Sequence, residues 1–92
     1  MPRTMEEKHK EWSNDPEYIE AFDALEQEFA IARALIKARR EAGMTQAEVA
    51  KRMGISQPAV ARIEAGKNVS VKTLGKYARA IGRSIDVRVL PA

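Results

Sequence analysis

Gln57 and Arg62 fall close together in the run Ser56-Gln57-Pro58-Ala59-Val60-Ala61-Arg62-Ile63-Glu64. An amide and a guanidinium are the side chains that pair bidentately with base edges, glutamine with adenine and arginine with guanine. On a helix Gln57, Ala61 and Arg62 lie on one side, away from Val60 and Ile63. Ala59 and Ala61 are small enough for that side to approach a surface closely, and a methyl can meet thymine. Gln46, Ser56, Lys67 and Asn68 lie around this run and suit phosphate oxygens through hydroxyl, amide, ammonium and helix-end N–H groups. This is recognition chemistry and not catalysis. The chain has no cysteine and one histidine, His9. It therefore offers no thiolate, no His–acid pair and no phosphate-binding glycine loop, and it is read as a non-enzyme with no cofactor and no metal site. His9 reads as a solvated side chain.

The elements that hold these residues are legible from caps and periodicity. Asn14-Asp15-Pro16-Glu17 is a helix start, with proline in the first turn and glutamate complementing the dipole. Tyr18, Phe22, Leu25, Phe29, Ala32 and Ile36 recur at spacings of three and four, which predicts one apolar face of a helix running to about Ala42. A kink near residues 28–30 is compatible with the same pattern. Gly43 ends the helix as a left-handed cap. Thr45-Gln46-Ala47-Glu48 is a capping box for a short helix to about Met53, which Gly54 stops. Ser56 caps the next helix, with Pro58 in its first turn, and Gly66 ends it. Ser70 opens a fourth helix, with Val71, Leu74, Tyr77, Ala78 and Ile81 expected on the buried side. The segment Ser84-Ile85-Asp86-Val87-Arg88-Val89-Leu90 alternates and is β-branched, so it reads as a strand.

Two short helices joined by a turn at residues 54–56 set the second steeply across the first. That geometry demands a small residue where they cross, supplied by Ala50, and a positive φ in the turn, supplied by Gly54. Val49, Ile55, Val60 and Ile63 are expected to fill the wedge. An ordinary helical hairpin would need no such combination.

Length and charge set the frame. Ninety-two residues make one small domain. The net charge of +3 hides a segregation: residues 1–29 carry a balance of −6 and residues 30–92 one of +9. A basic body meets a polyanion, whereas an acidic arm would be repelled by it and suits solvent or a basic protein. No stretch approaches the roughly 20 apolar residues of a membrane helix, and the N-terminus has no signal-peptide core, so a cytoplasmic location is expected.

The run from Thr45 to Gly66 resembles the helix-turn-helix of the Xre/Cro repressors, over about residues 30–82. The resemblance implies a mostly α, lambda-repressor-like bundle of about five helices that places its third helix in the major groove of double-stranded operator DNA. It also implies that Gln57, Pro58 and Arg62 occupy base-reading positions. Proline at 58 departs from the usual polar residue, so that base step would be read by shape or apolar contact. The resemblance further pairs Arg39 with Glu64 as an architectural ion pair.

Two parts lie outside the motif. A lone strand has no partner in its own chain, and pairing with the same strand of a second copy would remove the open edge. In that homodimer Ile85, Val87 and Val89 would face the helices. A tail packed within its own chain is the alternative. The stretch Asp15-Pro16-Glu17-Tyr18 to Phe29, together with the strand, resembles HigA-type antitoxins, which bind their own operator and wrap a basic RelE/HigB-like ribonuclease toxin. Trp12, Tyr18, Phe22 and Glu26 are then the toxin-binding candidates. The expected division is an acidic arm over 1–29, a DNA-binding domain over 30–83 and a dimerisation strand over 84–92. A stand-alone repressor without a toxin partner, phage-like or a restriction controller, remains the competing reading.

Overall fold

The computed structural model describes residues 16–91, and all the regular structure among them is helical. Four helices follow one another: α1 (Pro16–Glu41), α2 (Gln46–Met53), α3 (Gln57–Glu64) and α4 (Val71–Ala80). The N-terminal extension and the first helix of the motif form one continuous rod. The helix runs unbroken through residues 28–30, and four helices stand where about five were expected among the described residues. Asp15 and Trp12 lie outside those residues, as does the side chain of Tyr18.

Each short helix starts on a side-chain cap. Thr45 accepts from the Glu48 N–H at 3.1 Å, and the Glu48 carboxylate accepts from the Thr45 N–H at 3.2 Å. Ser56 and Ser70 accept from the amides of Ala59 and Thr73 in the same way. A cap of this kind contributes about 1 kcal/mol, a large share for helices of two to three turns that would not persist alone. Gly54 takes a φ of 70° and turns the chain from α2 to α3.

The core lies where α2, α3 and α4 close over the second half of α1. Val49, Val60 and Tyr77 are fully buried, with Leu35, Met44, Ala50 and Ile81 around them. Ala50 sits beneath α3 as its small size requires. Ile55 does not share the wedge; it is 37% exposed. Val71 is 60% exposed, because it is the first residue of α4 and the helix turns its buried side inward only from Leu74 onward.

The apolar stripe read along α1 is not the one that packs. The core takes Ile31, Leu35, Ala38 and Ala42, a line about 140° round the helix from Tyr18, Phe22, Leu25 and Phe29. Leu25 and Phe29 are 37% and 49% exposed. Periodicity picked out the larger side chains, with Ala32 and Ile36 extending their line, and passed over the line that packs.

The C-terminal segment 84–91 forms no strand, and its backbone makes no hydrogen bond among the described residues. A ladder needs a second strand alongside, and one chain supplies none. Ile85, Val87, Val89 and Leu90 are all exposed.

Gly66 is the tightest joint. Its φ is +75°, and a Cβ there would fall on the backbone carbonyl of Glu28 and against Ile31. Gly54 has the same left-handed backbone but open space around it. Gly54→Ala should therefore lose only the conformational penalty, about 1–2 kcal/mol. Gly66→Ala should lose that amount plus the clash, because α1 would have to shift. Urea unfolding midpoints of the two variants check this ordering.

Candidate nucleic-acid interface

The side chains that suit base edges are presented by α3. Gln57, Pro58, Ala61 and Arg62 are exposed, while Val60 and Glu64 of the same helix are buried. Neither Gln57 nor Arg62 makes a hydrogen bond or ion pair among the described residues, so both forks are free. Pro58 sits within the first turn of α3, where its missing N–H costs nothing.

Ser56, Lys67 and Asn68 flank the helix and are exposed. Ser56 caps α3 through its oxygen and keeps its hydroxyl proton to donate. Asn68 has a φ of 50°, the only described residue besides glycine with a left-handed backbone. Asparagine tolerates that region better than most residues.

Gln46 behaves differently from the expectation that its side chain meets phosphate. Its side-chain amide turns inward and donates to Glu64 Oε1 at 2.8 Å. What α2 still offers outward is its helix end, where the first N–H groups have no partner in the helix.

Glu64 is the group that holds α3 in place. It is 3% exposed and would be costly to bury alone. Arg39 Nε donates to Oε2 at 2.6 Å, and Arg39 Nη1 donates to the Met44 carbonyl at 3.0 Å. The Tyr77 hydroxyl donates to Oε2 at 2.5 Å, with the Leu35 carbonyl 3.2 Å away. One carboxylate thus gathers α1, α2 and α4 onto the last turn of α3. Burial opposes the charge on Glu64, but the hydrogen bonds from Arg39, Gln46 and Tyr77 outweigh it and hold its pKa below the ordinary carboxylate value. Burial, then the neighbouring carboxylate, pushes the Tyr77 phenol well up. The hydrogen bond to Glu64 raises Arg39 further still. Sequence reasoning missed Tyr77 and Gln46 in this cluster. Tyr77 was legible only as a buried aromatic, although a buried phenol needs a partner, and that need was the available signal.

This geometry is that of a helix-turn-helix. Residues 35–87 match the Helix-turn-helix family model, and the chain belongs to that family, as a DNA-binding regulator. The curated relatives it resembles include the proteins named Antitoxin HigA1 from two strains of Mycobacterium tuberculosis, CDC 1551 / Oshkosh and ATCC 25618 / H37Rv. Each is 37% identical over 68 residues, which is 73% of this chain. The chain spans 46% of the length of those relatives. No solved structure matches.

Two outcomes follow from the Glu64 cluster. Glu64→Gln strands Arg39, whose side chain is only 12% exposed, and should destabilise the fold by about 3–5 kcal/mol in thermal or urea unfolding. Because the folded pKa of Glu64 is lowered from its ordinary value, its contribution is present above the unfolded pKa and is lost as pH falls through the folded one. Stability measured from pH 6 downward should therefore drop on the acid limb, and Glu64→Gln should flatten the drop.

Proposed function

We propose that the chain is an antitoxin that reads operator DNA through α3, represses its own operon and neutralises a small basic ribonuclease toxin of the RelE/HigB type. The observation that carries the DNA part is the split character of α3: Gln57 and Arg62 are exposed and unpaired among the described residues, while Val60 and Glu64 of the same helix are locked into the core. Arg62 reads a guanine edge, Gln57 an adenine edge, and Pro58 a neighbouring step by shape. Ser56, Lys67 and Asn68 hold the phosphates on either side. Gln46 contributes its helix-end N–H, its side chain being occupied by Glu64.

The toxin part rests on α1. Five carboxylates (Glu17, Glu20, Asp23, Glu26 and Glu28) precede its first basic residue, Arg33. Leu25 and Phe29 lie exposed on the same stretch, with Phe22 half-buried. An apolar stripe with an acidic surround suits a basic protein surface with an apolar channel. Trp12, Tyr18, Phe22 and Glu26 are the proposed toxin contacts, and the similarity to proteins named Antitoxin HigA1 supports this reading. Segment 1–29 is then the partner-binding arm, although α1 runs on unbroken into the DNA-binding part at 30–83. Residues 84–92 pair with the same residues of a second copy, covering Ile85, Val87 and Val89. The resulting dimer would present two reading helices to half-sites about 34 Å apart.

Arg62→Ala should lose about 1–3 kcal/mol on the cognate operator and little on random DNA. Lys67→Ala should weaken both alike and lower the salt slope by about one. Fluorescence anisotropy on the two DNAs separates these outcomes, and an equal loss on both for Arg62→Ala would remove it as a base reader. For the toxin, Phe29→Asp should abolish co-purification with the product of the adjacent gene while leaving operator binding intact. Retention of that product, or a neighbour that is not a small basic protein, counts against the antitoxin role.

A further inference from the structure

A groove with a volume of about 840 Å³ runs between the end of α2, the flank of α3 and α4. Met53, Ile55 and Ile63 line its apolar part. Arg52, Lys76 and Arg79 line it as well, and among the described residues no acidic one does. None of its lining belongs to α1. The exposure of Ile55, unexplained by the packing of α2 on α3, is accounted for by its place in this groove.

The chain also carries the complement of this groove. The first half of α1 bears the apolar stripe Phe22, Leu25 and Phe29. By helical geometry Glu26 falls on one side of that stripe and Glu28 on the other, with no basic residue in α1 before Arg33. One surface is apolar with a basic rim; the other is apolar with an acidic rim. Their lengths are compatible, since a helix in a groove is read through anchors at spacings of three and four, and Phe22, Leu25 and Phe29 have that spacing.

The two cannot meet within one chain. α1 is a single straight-through helix whose second half is packed by Ile31, Leu35, Ala38 and Ala42, so its first half cannot turn back to a groove built by α2, α3 and α4. We infer that the groove receives the first half of α1 from a second copy of this chain. Exchange in both directions closes the pair about a two-fold axis and buries two grooves and two stripes. Charge fixes the arrangement: packing α1 against α1 would bring two acidic surrounds together, whereas α1 in the groove brings opposite charges together. This contact uses none of residues 84–92. It occupies the same stripe that the toxin would take, so self-association and toxin binding would be mutually exclusive.

The test is sedimentation velocity on the full chain, with charge reversal on each side. Lys76→Glu and Glu26→Lys should each raise the dimer dissociation constant about tenfold or more, and the double variant should recover most of that loss. Both side chains are exposed, so circular dichroism should show the fold unchanged in each. Zero-length carbodiimide coupling should join Glu26 to Lys76 between isotopically light and heavy chains. The proposal is overturned by a chain that stays monomeric, by association that neither reversal weakens, by a double variant no better than the singles, or by couplings found only within one chain. Neither residue belongs to the DNA-contacting set. Operator binding by the same variants therefore reads the proposed function separately.

Discussion

A single buried carboxylate organises this fold. Glu64 ends α3, the helix proposed to face DNA, and it is almost wholly withdrawn from water. An isolated charge at that depth would be expelled or neutralised. Here it is met by a guanidinium from α1, an amide from α2 and a phenol from α4, each within hydrogen-bonding distance. No buried side-chain polar atom among the described residues is left without a partner. The arrangement is directional in a way that apolar packing is not. Val49 and Val60 hold α2 against α3 at the right distance, but the Glu64 hydrogen bonds hold the orientation of α3 about its own axis. That orientation decides which residues point outward.

The same device explains why the reading surface is exposed without being loose. Among the described residues Gln57 and Arg62 have no partner, which leaves them the freedom that the proposed match to a base edge needs, while the backbone beneath them is pinned. Gly66 extends the pinning beyond the helix. Its seat on the Glu28 carbonyl fixes where the loop carrying Lys67 and Asn68 leaves α3. That seat also lies at Glu28 and Ile31, where the core-packing line of α1 begins, so the acidic first half of α1 emerges beside the loop proposed for phosphate contact.

Much of the body was readable in advance, and for identifiable reasons. Caps and left-handed glycines act through their nearest neighbours. Thr45 with Glu48, Ser56, Ser70, Gly54 and Gly66 therefore marked the boundaries of α2, α3 and α4 to within a residue or two. The wedge of Val49, Ala50 and Val60 followed from the spacing that a tight crossing requires. The misreadings were all of another kind. A helix with apolar residues over a wide arc does not say which line will pack, and α1 packed on Ile31 and Leu35 and left Leu25 and Phe29 out. Ile55 and Val71 have strongly apolar side chains, yet their exposure depends on what lies across from them. The alternation at 84–90 shows that these residues suit a strand, but a strand exists only when another lies beside it.

Among the proposed site residues, the sequence by itself determined the types and the order: an amide and a guanidinium on one side of a capped helix, with hydroxyl, ammonium and amide groups at its ends. It also determined the segregation of acidic and basic halves, because charge needs no contacts to be counted. Only the tertiary structure decided what Gln46, Tyr77 and Glu64 do together, because residues 46, 64 and 77 share no local element and meet only once four helices have closed. Gln46 turned from the surface to the core for the same reason. An amide can satisfy a phosphate or a buried carboxylate equally well, and the choice belongs to whichever acceptor the fold brings within reach.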